Sequence, residues 1–165
     1  MANMDATLNA ICLYYINEPY SASKYDADVP GYRKMMWGLV RRFQEDGGEL
    51  WYSLDKTNDA HILWQHLRMY HLEVLTATGP PEYGAQIQKA RWFAKHFCDK
   101  TKMNFTRKAA DKAAFASSGH LLIDDSKRAI DPWIEQGGIG ILHTTAVDTI
   151  NQLIALESLQ SNHGG

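Results

Sequence analysis

The feature that most constrains this chain is a repeated change of period. Leu72–Ala77 (LEVLTA), His120–Asp124 (HLLID) and Gly138–His143 (GIGILH) are short apolar runs, and each precedes a stretch of helical spacing. Short apolar runs stopped by Gly or Pro read as buried strands, whereas apolar residues at i, i+3, i+4 and i+7 read as amphipathic helices. Strands separated by helices of about ten to fifteen residues imply right-handed crossovers, and so an α/β fold with a parallel sheet and helices on both faces.

The remaining segments fill in this pattern. Tyr32, Met35, Met36, Leu39, Val40 and Phe43 form one helix, ended by Gly47-Gly48, and a second runs from Asn58, a good N-cap, through Leu63 and Leu67 to Tyr70. A helix is expected from about Glu82 to Phe97, a strand around Met103–Thr106, and an Ala-rich helix from Lys108 to Ala116. Lys127–Gln136 reads as partly helical despite Pro132, and Val147, Ile150, Leu153 and Ile154 mark a closing helix. Residues 9–57 are helical and aromatic, which suits a cap inserted into a single domain spanning 1–165, and the polar tail 158–165 is expected to fray.

Composition narrows the function. A chain of 165 residues, 45% hydrophobic and 22% charged, suffices for one domain with a core. Its 17 Lys+Arg and 19 Asp+Glu leave a net charge of −2, without the basic excess that a nucleic-acid polymer demands. The runs Ala10–Ile16 and Ile139–Leu142 fall far short of the roughly 18 to 20 residues of a membrane span, and no charged-then-apolar leader opens the chain, so a cytoplasmic protein without a membrane partner is expected. Cys12 and Cys98 stand apart from each other and from any histidine pair, which favours reduced thiols over a disulfide or a zinc site.

In parallel sheets, ligands bind beyond the carboxyl ends of the strands. Two such ends carry unusual residues. Leu121-Leu122-Ile123 runs into Asp124-Asp125, adjacent carboxylates that need a counter-ion; magnesium, which takes carboxylate oxygen, is the natural one, although a solvated turn or a helix N-cap would use the same residues. Thr76 ends the earlier strand, where a hydroxyl and backbone N–H groups can hold a phosphate oxygen or simply make a turn.

The order of these pieces carries a resemblance. Val74-Leu75-Thr76-Ala77, Asp111-Lys112-Ala113-Ala114-Phe115-Ala116, and the segment from Leu122-Ile123-Asp124-Asp125 through Trp133 to Gly140-Ile141-Leu142-His143 resemble the haloacid dehalogenase superfamily of phosphatases, most closely its small phage and bacterial 5'-nucleotidase branch. The likeness covers roughly residues 49–150, with Gly48–Leu54, Asp59-Ala60 and Leu63-Trp64 similar to that family's return from its cap. It implies a Rossmannoid parallel sheet with a small helical cap, magnesium as cofactor, and a small phosphorylated metabolite, a nucleotide, as substrate. A nucleophilic Asp would form an aspartyl-phosphate, and an Asp two residues later would act as acid and base. Carried over, Thr76 with Ala77 and Lys112 hold the phosphoryl oxygens, Lys108 being the fallback for Lys112, and Asp124 and Asp125 hold the metal; apart from the carry-over, Trp51, with Trp37, Tyr52 and Trp64 near the expected cap, offers a ring for stacking on a nucleobase or for aromatic core packing.

The first motif departs from the pattern. Asp26-Ala27-Asp28 has no strand to sit on, and the nearest fit is Asn3-Met4-Asp5-Ala6-Thr7-Leu8, which keeps the acid/base position at Asp5 but puts Asn3 where the nucleophile belongs. In that alignment Leu8, Ile11, Cys12 and Tyr15 share one face of a cap helix. A rival alignment takes Ala10–Ile16 as the strand and Asn17 as its terminal residue. Both place an amide, a weak nucleophile, at the reacting position, so the resemblance implies either an impaired phosphomonoesterase or a non-catalytic module that binds a nucleotide or a partner protein.

Other chemistries lack their signatures. Gly137-Gly138-Ile139-Gly140 does not open a helix as a dinucleotide fingerprint does, and no P-loop is present. His61, His66 and His71 recur at a spacing that does not stack them on one helix face, and Ser117-Ser118-Gly119-His120 lacks a nucleophile elbow.

Overall fold

Glycine and proline divide the apolar runs into short strands, and the computed structural model, which describes residues 2–80, 84–98 and 100–161, shows where they pair. In chain order the elements are β1 (Ala2–Asn3), α1 (Met4–Ile16), α2 (Ala22–Asp26), α3 (Tyr32–Glu45), β2 (Asp55–Lys56), α4 (Ala60–Leu67), β3 (Glu73–Ala77), α5 (Ala85–His96), β4 (Lys102–Thr106), a 3-10 helix (Ala110–Phe115), β5 (Leu121–Asp124), α6 (Lys127–Glu135), β6 (Ile139–Leu142) and α7 (Ala146–Ser161). They form two compact units, one of residues 1–57 and 80–99, the other of 58–79 and 100–165.

The second unit holds the parallel strands. β3 pairs with β4 in the register Glu73↔Lys102 to Ala77↔Thr106, and β5 pairs with β6 from Leu121↔Ile139 to Asp124↔Leu142. Leu122, Ala129, Ile130 and Trp133 form a buried cluster against which Leu75 of β3 and Leu142 of β6 also pack, so side chains of both pairs feed one core. Helix α6 ends in paired bonds, Gly137 N–H to the Ile134 carbonyl at 2.9 Å and Gly138 N–H to the Trp133 carbonyl at 3.1 Å, with Gly137 at φ 86°. That left-handed cap needs a glycine. Gly140 is required for another reason: a Cβ there would lie 2.9 Å from Ile130 Cγ2, because α6 lies flat on β6. The glycines of this segment therefore serve helix termination and packing.

The first unit is helical. Leu8, Ile11 and Cys12 of α1 are buried with Met36 and Val40 of α3, and Cys12 Sγ meets Met36 Sδ at 3.2 Å. Helix α3 closes with the same cap as α6, through Gly47 N–H to Gln44 and Gly48 N–H to Phe43. Leu50, Leu54, Trp92 and Phe93 are buried, and the Trp92 indole N–H donates to the Leu54 carbonyl at 2.6 Å. Ala2–Asn3 pairs antiparallel with Asp55–Lys56.

Several expectations need correction. The parallel strands form two separate two-stranded ladders among the described residues, not one continuous sheet. Ala10–Ile16 lies within α1, which removes the strand of the rival alignment and leaves Asn17 in the turn after a helix. The Ala-rich segment is a 3-10 helix, and α7 continues through Ser158 to Ser161; residues 162–165 of the tail and the expected helix start at Glu82 lie outside the described residues. No described helix is long and apolar enough to cross a membrane.

One pairing makes a test. Glu73 accepts from Lys102 Nζ at 2.8 Å and Asn104 Nδ2 at 2.6 Å, tying the start of β3 to β4, and these hydrogen bonds hold its carboxyl below the ordinary value of 4.5. A depressed folded value means stabilisation that is complete above pH 4.5 and lost as pH falls through the lower folded value. Glu73→Gln should therefore lower the melting temperature slightly at neutral pH and leave it unchanged in strong acid; thermal melts across pH check this, and a constant difference would contradict it.

Candidate functional site

β5 delivers Asp124 as its last residue, and every acceptor group of that residue is engaged. Oδ1 accepts the Ser126 N–H at 2.9 Å, the backbone carbonyl accepts the His143 N–H at 2.8 Å, and Oδ2 accepts Lys112 Nζ. The Lys112 and Asp124 side chains are only 8% and 10% exposed. The Ser126 contact is a local turn of the kind aspartates make at strand ends and helix starts. Such a turn accounts for the aspartate, but not for a lysine taken out of water to meet it.

The approach of Lys112 is set by the chain leaving β4. Beyond Ala77 the β3–β4 ladder continues through Thr78 N–H to the Thr106 carbonyl at 2.9 Å and Gly79 N–H to the Arg107 carbonyl at 3.0 Å. Thr106, itself buried, donates its hydroxyl to the Lys108 carbonyl at 2.9 Å, and the Asp111 carboxylate takes the Lys108 N–H at 2.9 Å. These bonds fold the segment into the 3-10 turn that carries Lys112 to Asp124. Lys108, the alternative lysine, is exposed, so the ammonium that meets the carboxylate is that of Lys112.

Removing an ammonium and a carboxylate from water costs several kcal/mol per ion, which their attraction offsets only with good geometry. Here the pair joins the 3-10 helix to the end of β5. Asp125 follows directly and is exposed. Thr76 lies in β3 opposite Phe105, and Ala77 opposite Thr106, one ladder step before the Thr78 and Gly79 bonds.

Oxygen donors suited to magnesium are present: the exposed Asp125 carboxylate and the Asp124 lone pairs that Lys112 and Ser126 leave over. Magnesium is commonly held by one or two carboxylates, with water and substrate oxygens completing its octahedron. The described residues contain no group of three or more His, Cys, Asp or Glu able to hold a metal by themselves.

The remaining candidates belong to the first unit. Asn3 sits in β1, opposite Asp55. Asp5 is exposed in the first turn of α1, where a carboxylate suits the helix dipole; burial and then its charge push the Tyr20 phenol up to about 12. Asp28 of the discarded Asp-x-Asp pairs with Arg33 at 3.2 Å. Trp51 is half-buried, with Lys89 Nζ 4.5 Å from its ring centroid and the Trp37 ring at 6.3 Å, and its backbone N–H donates to Gln88 Oε1 at 2.9 Å.

Two contributors have no clear sequence signal. Thr106 is one threonine among several until the strand register puts its hydroxyl over the turn. His143 reads as the end of a strand, yet its Nδ1 lies 2.7 Å from the hydroxyl of the fully buried Thr149 and ties β6 to α7.

Comparison with protein-family models, with curated proteins and with solved structures finds no match to this chain.

Breaking one half of the pair should be severe. Lys112→Ala leaves Asp124 charged and buried, and is expected to cost about 3–5 kcal/mol in urea unfolding, whereas Lys112→Met with Asp124→Leu recovers most of it. A loss under about 1 kcal/mol for Lys112→Ala, the range of an exposed pair, would show that the contact is solvated.

Proposed function

We propose that this chain is a haloacid-dehalogenase-type phosphomonoesterase, related to magnesium-dependent 5'-nucleotidases, with activity impaired by the asparagine at its nucleophile position. The observation that carries this reading is the buried Lys112–Asp124 pair at the end of β5, with Asp125 beside it and Thr76 preceding both in the chain order the resemblance requires. The finer fold reading, a Rossmannoid core with residues 9–57 as its cap, belongs to the same proposal, as do a cytoplasmic setting and a nucleoside monophosphate as substrate.

In this reading the Lys112 ammonium and the Thr76 hydroxyl, with the Ala77 backbone, hold the phosphoryl oxygens. Asp124 accepts from Lys112 and aims it, and the resemblance gives Asp5 the transfer of a proton to the leaving oxygen. Magnesium, when bound through Asp124 and Asp125, offsets charge on the phosphoryl group. An amide at position 3 supplies neither a good nucleophile nor a negative charge. Two unit charges about 4 Å apart interact by roughly 4 kcal/mol at an effective dielectric near 20, so the lost carboxylate also weakens metal affinity.

The asparagine itself favours a second reading, a non-catalytic module of the same fold that binds a nucleotide or a partner protein. A panel of deoxynucleoside monophosphates with magnesium, run on the chain and on Asn3→Asp, separates the two. The impaired-enzyme reading expects slow phosphate release that rises at least about tenfold in Asn3→Asp and disappears when Asp125→Asn is added. Calorimetric nucleotide binding without turnover in either protein supports the module; neither binding nor turnover in folded Asn3→Asp overturns both.

A further inference from the structure

The two groups that the proposed function assigns to different ligands hold each other in this structure. Lys112, whose ammonium is to meet phosphoryl oxygens, donates to Oδ2 of Asp124, whose carboxylate is to meet a metal. Both side chains are at least nine-tenths buried, so neither group has much water to turn to when it loses the other.

The rest of Asp124 is fixed. Its Oδ1 accepts the Ser126 N–H at 2.9 Å and its backbone carbonyl accepts the His143 N–H at 2.8 Å. The first bond sets the rotation of the carboxylate, which leaves Oδ2 as the oxygen open to exchange. Asp125 follows with its side chain exposed, and no third His, Cys, Asp or Glu joins these two among the described residues. A divalent cation arriving there has one exposed carboxylate to land on and one buried oxygen to win. An ammonium and a divalent cation on that single oxygen repel each other where little water screens them. The turn that carries Lys112 is held through the Lys108 backbone by Thr106 and Asp111, while a flexible four-carbon stem can swing the ammonium without moving the turn.

We infer that the Lys112–Asp124 pair is a resting latch: a divalent cation taking Asp124 Oδ2 releases Lys112, and the released ammonium takes an oxyanion as its new partner. The inference rests on the phosphatase reading and adds to it a coupling between two ligands. A cation alone strands a buried ammonium, and an oxyanion alone must win Lys112 from Asp124, so each binds weakly by itself. Together they complete the exchange, and by linkage each raises the affinity of the other by the same factor.

The test uses the isotopically labelled full chain with magnesium chloride and inorganic phosphate, and follows the Lys112 ammonium and the side-chain carboxyl carbons of Asp124 and Asp125 by NMR. Metal-free protein is expected to show a slowly exchanging Lys112 ammonium signal. Magnesium should shift both carboxyls and remove that signal, potassium chloride at equal ionic strength should do neither, and phosphate added to the magnesium-loaded protein should return the signal at a new position. Lys112→Met, which takes away the competing cation, should bind magnesium about tenfold more tightly, within the range of ordinary site coupling. Lys108→Met, which takes away an exposed charge, should leave that affinity nearly unchanged. Carboxyl shifts with the Lys112 signal intact, no return of the signal with phosphate, unchanged magnesium affinity in folded Lys112→Met, or no slowly exchanging ammonium in the metal-free protein would each overturn the latch and leave the phosphatase reading standing. Absence of any magnesium-dependent carboxyl shift, in the unaltered chain and in Lys112→Met alike, would overturn the metal assignment of that reading and the latch with it. If Lys112→Met does not fold, the ammonium signal of the unaltered chain decides alone.

Discussion

A lysine and an aspartate held together away from water set the terms for the parallel-stranded unit. Lys112 cannot be buried unless Asp124 is, and Asp124 cannot be held at the end of β5 without the Ser126 and His143 N–H groups that take its remaining acceptors. Those bonds in turn fix where α6 begins and how β6 lies against β5. On the other side, the ladder extension at Thr78 and Gly79 and the Thr106 hydroxyl fix the turn that brings Lys112 inward. A buried ion pair is weak evidence for stability, because well-packed apolar residues do as well.

Much of the local structure was legible in the amino-acid order, and for physical reasons. Val74-Leu75 and Leu121-Leu122-Ile123 are too short and too apolar for a surface helix, and turn-forming residues follow each run. Gly47-Gly48 marks a helix end because a left-handed glycine lets the chain satisfy the last carbonyls, and the same cap at Gly137-Gly138 emerges only in the structure. Ala10–Ile16 was ambiguous by its nature: isoleucine and tyrosine favour a strand, but Leu8, Ile11 and Cys12 find Met36 and Val40 of α3, and packing decides for a helix.

What the order of residues hides is long-range pairing. Nothing in the apolar runs tells that β3 pairs with β4 and β5 with β6 in separate ladders, since every such strand carries the same kind of edge. The candidate site was half legible as an arrangement of side chains. Asp124, Asp125 and the two lysines stand out by charge, and only the fold selects Lys112, because Asp111 and Thr106 commit Lys108 to the turn through its backbone. Asn3 falls in a short antiparallel ladder with β2 in the other unit, so the first motif rests on sequence likeness alone.

The central claim is that the carboxyl ends of β3 and β5, organised around Lys112 and Asp124, form an anion site. Titrating inorganic phosphate into the isotopically labelled full chain and following amide and lysine-ammonium resonances addresses it directly. The account predicts saturable shifts concentrated at Thr76–Gly79, Lys112 and Asp124–Ser126. Shifts confined to Arg91, Lys95 or other exposed cations, with those segments unmoved, would contradict it.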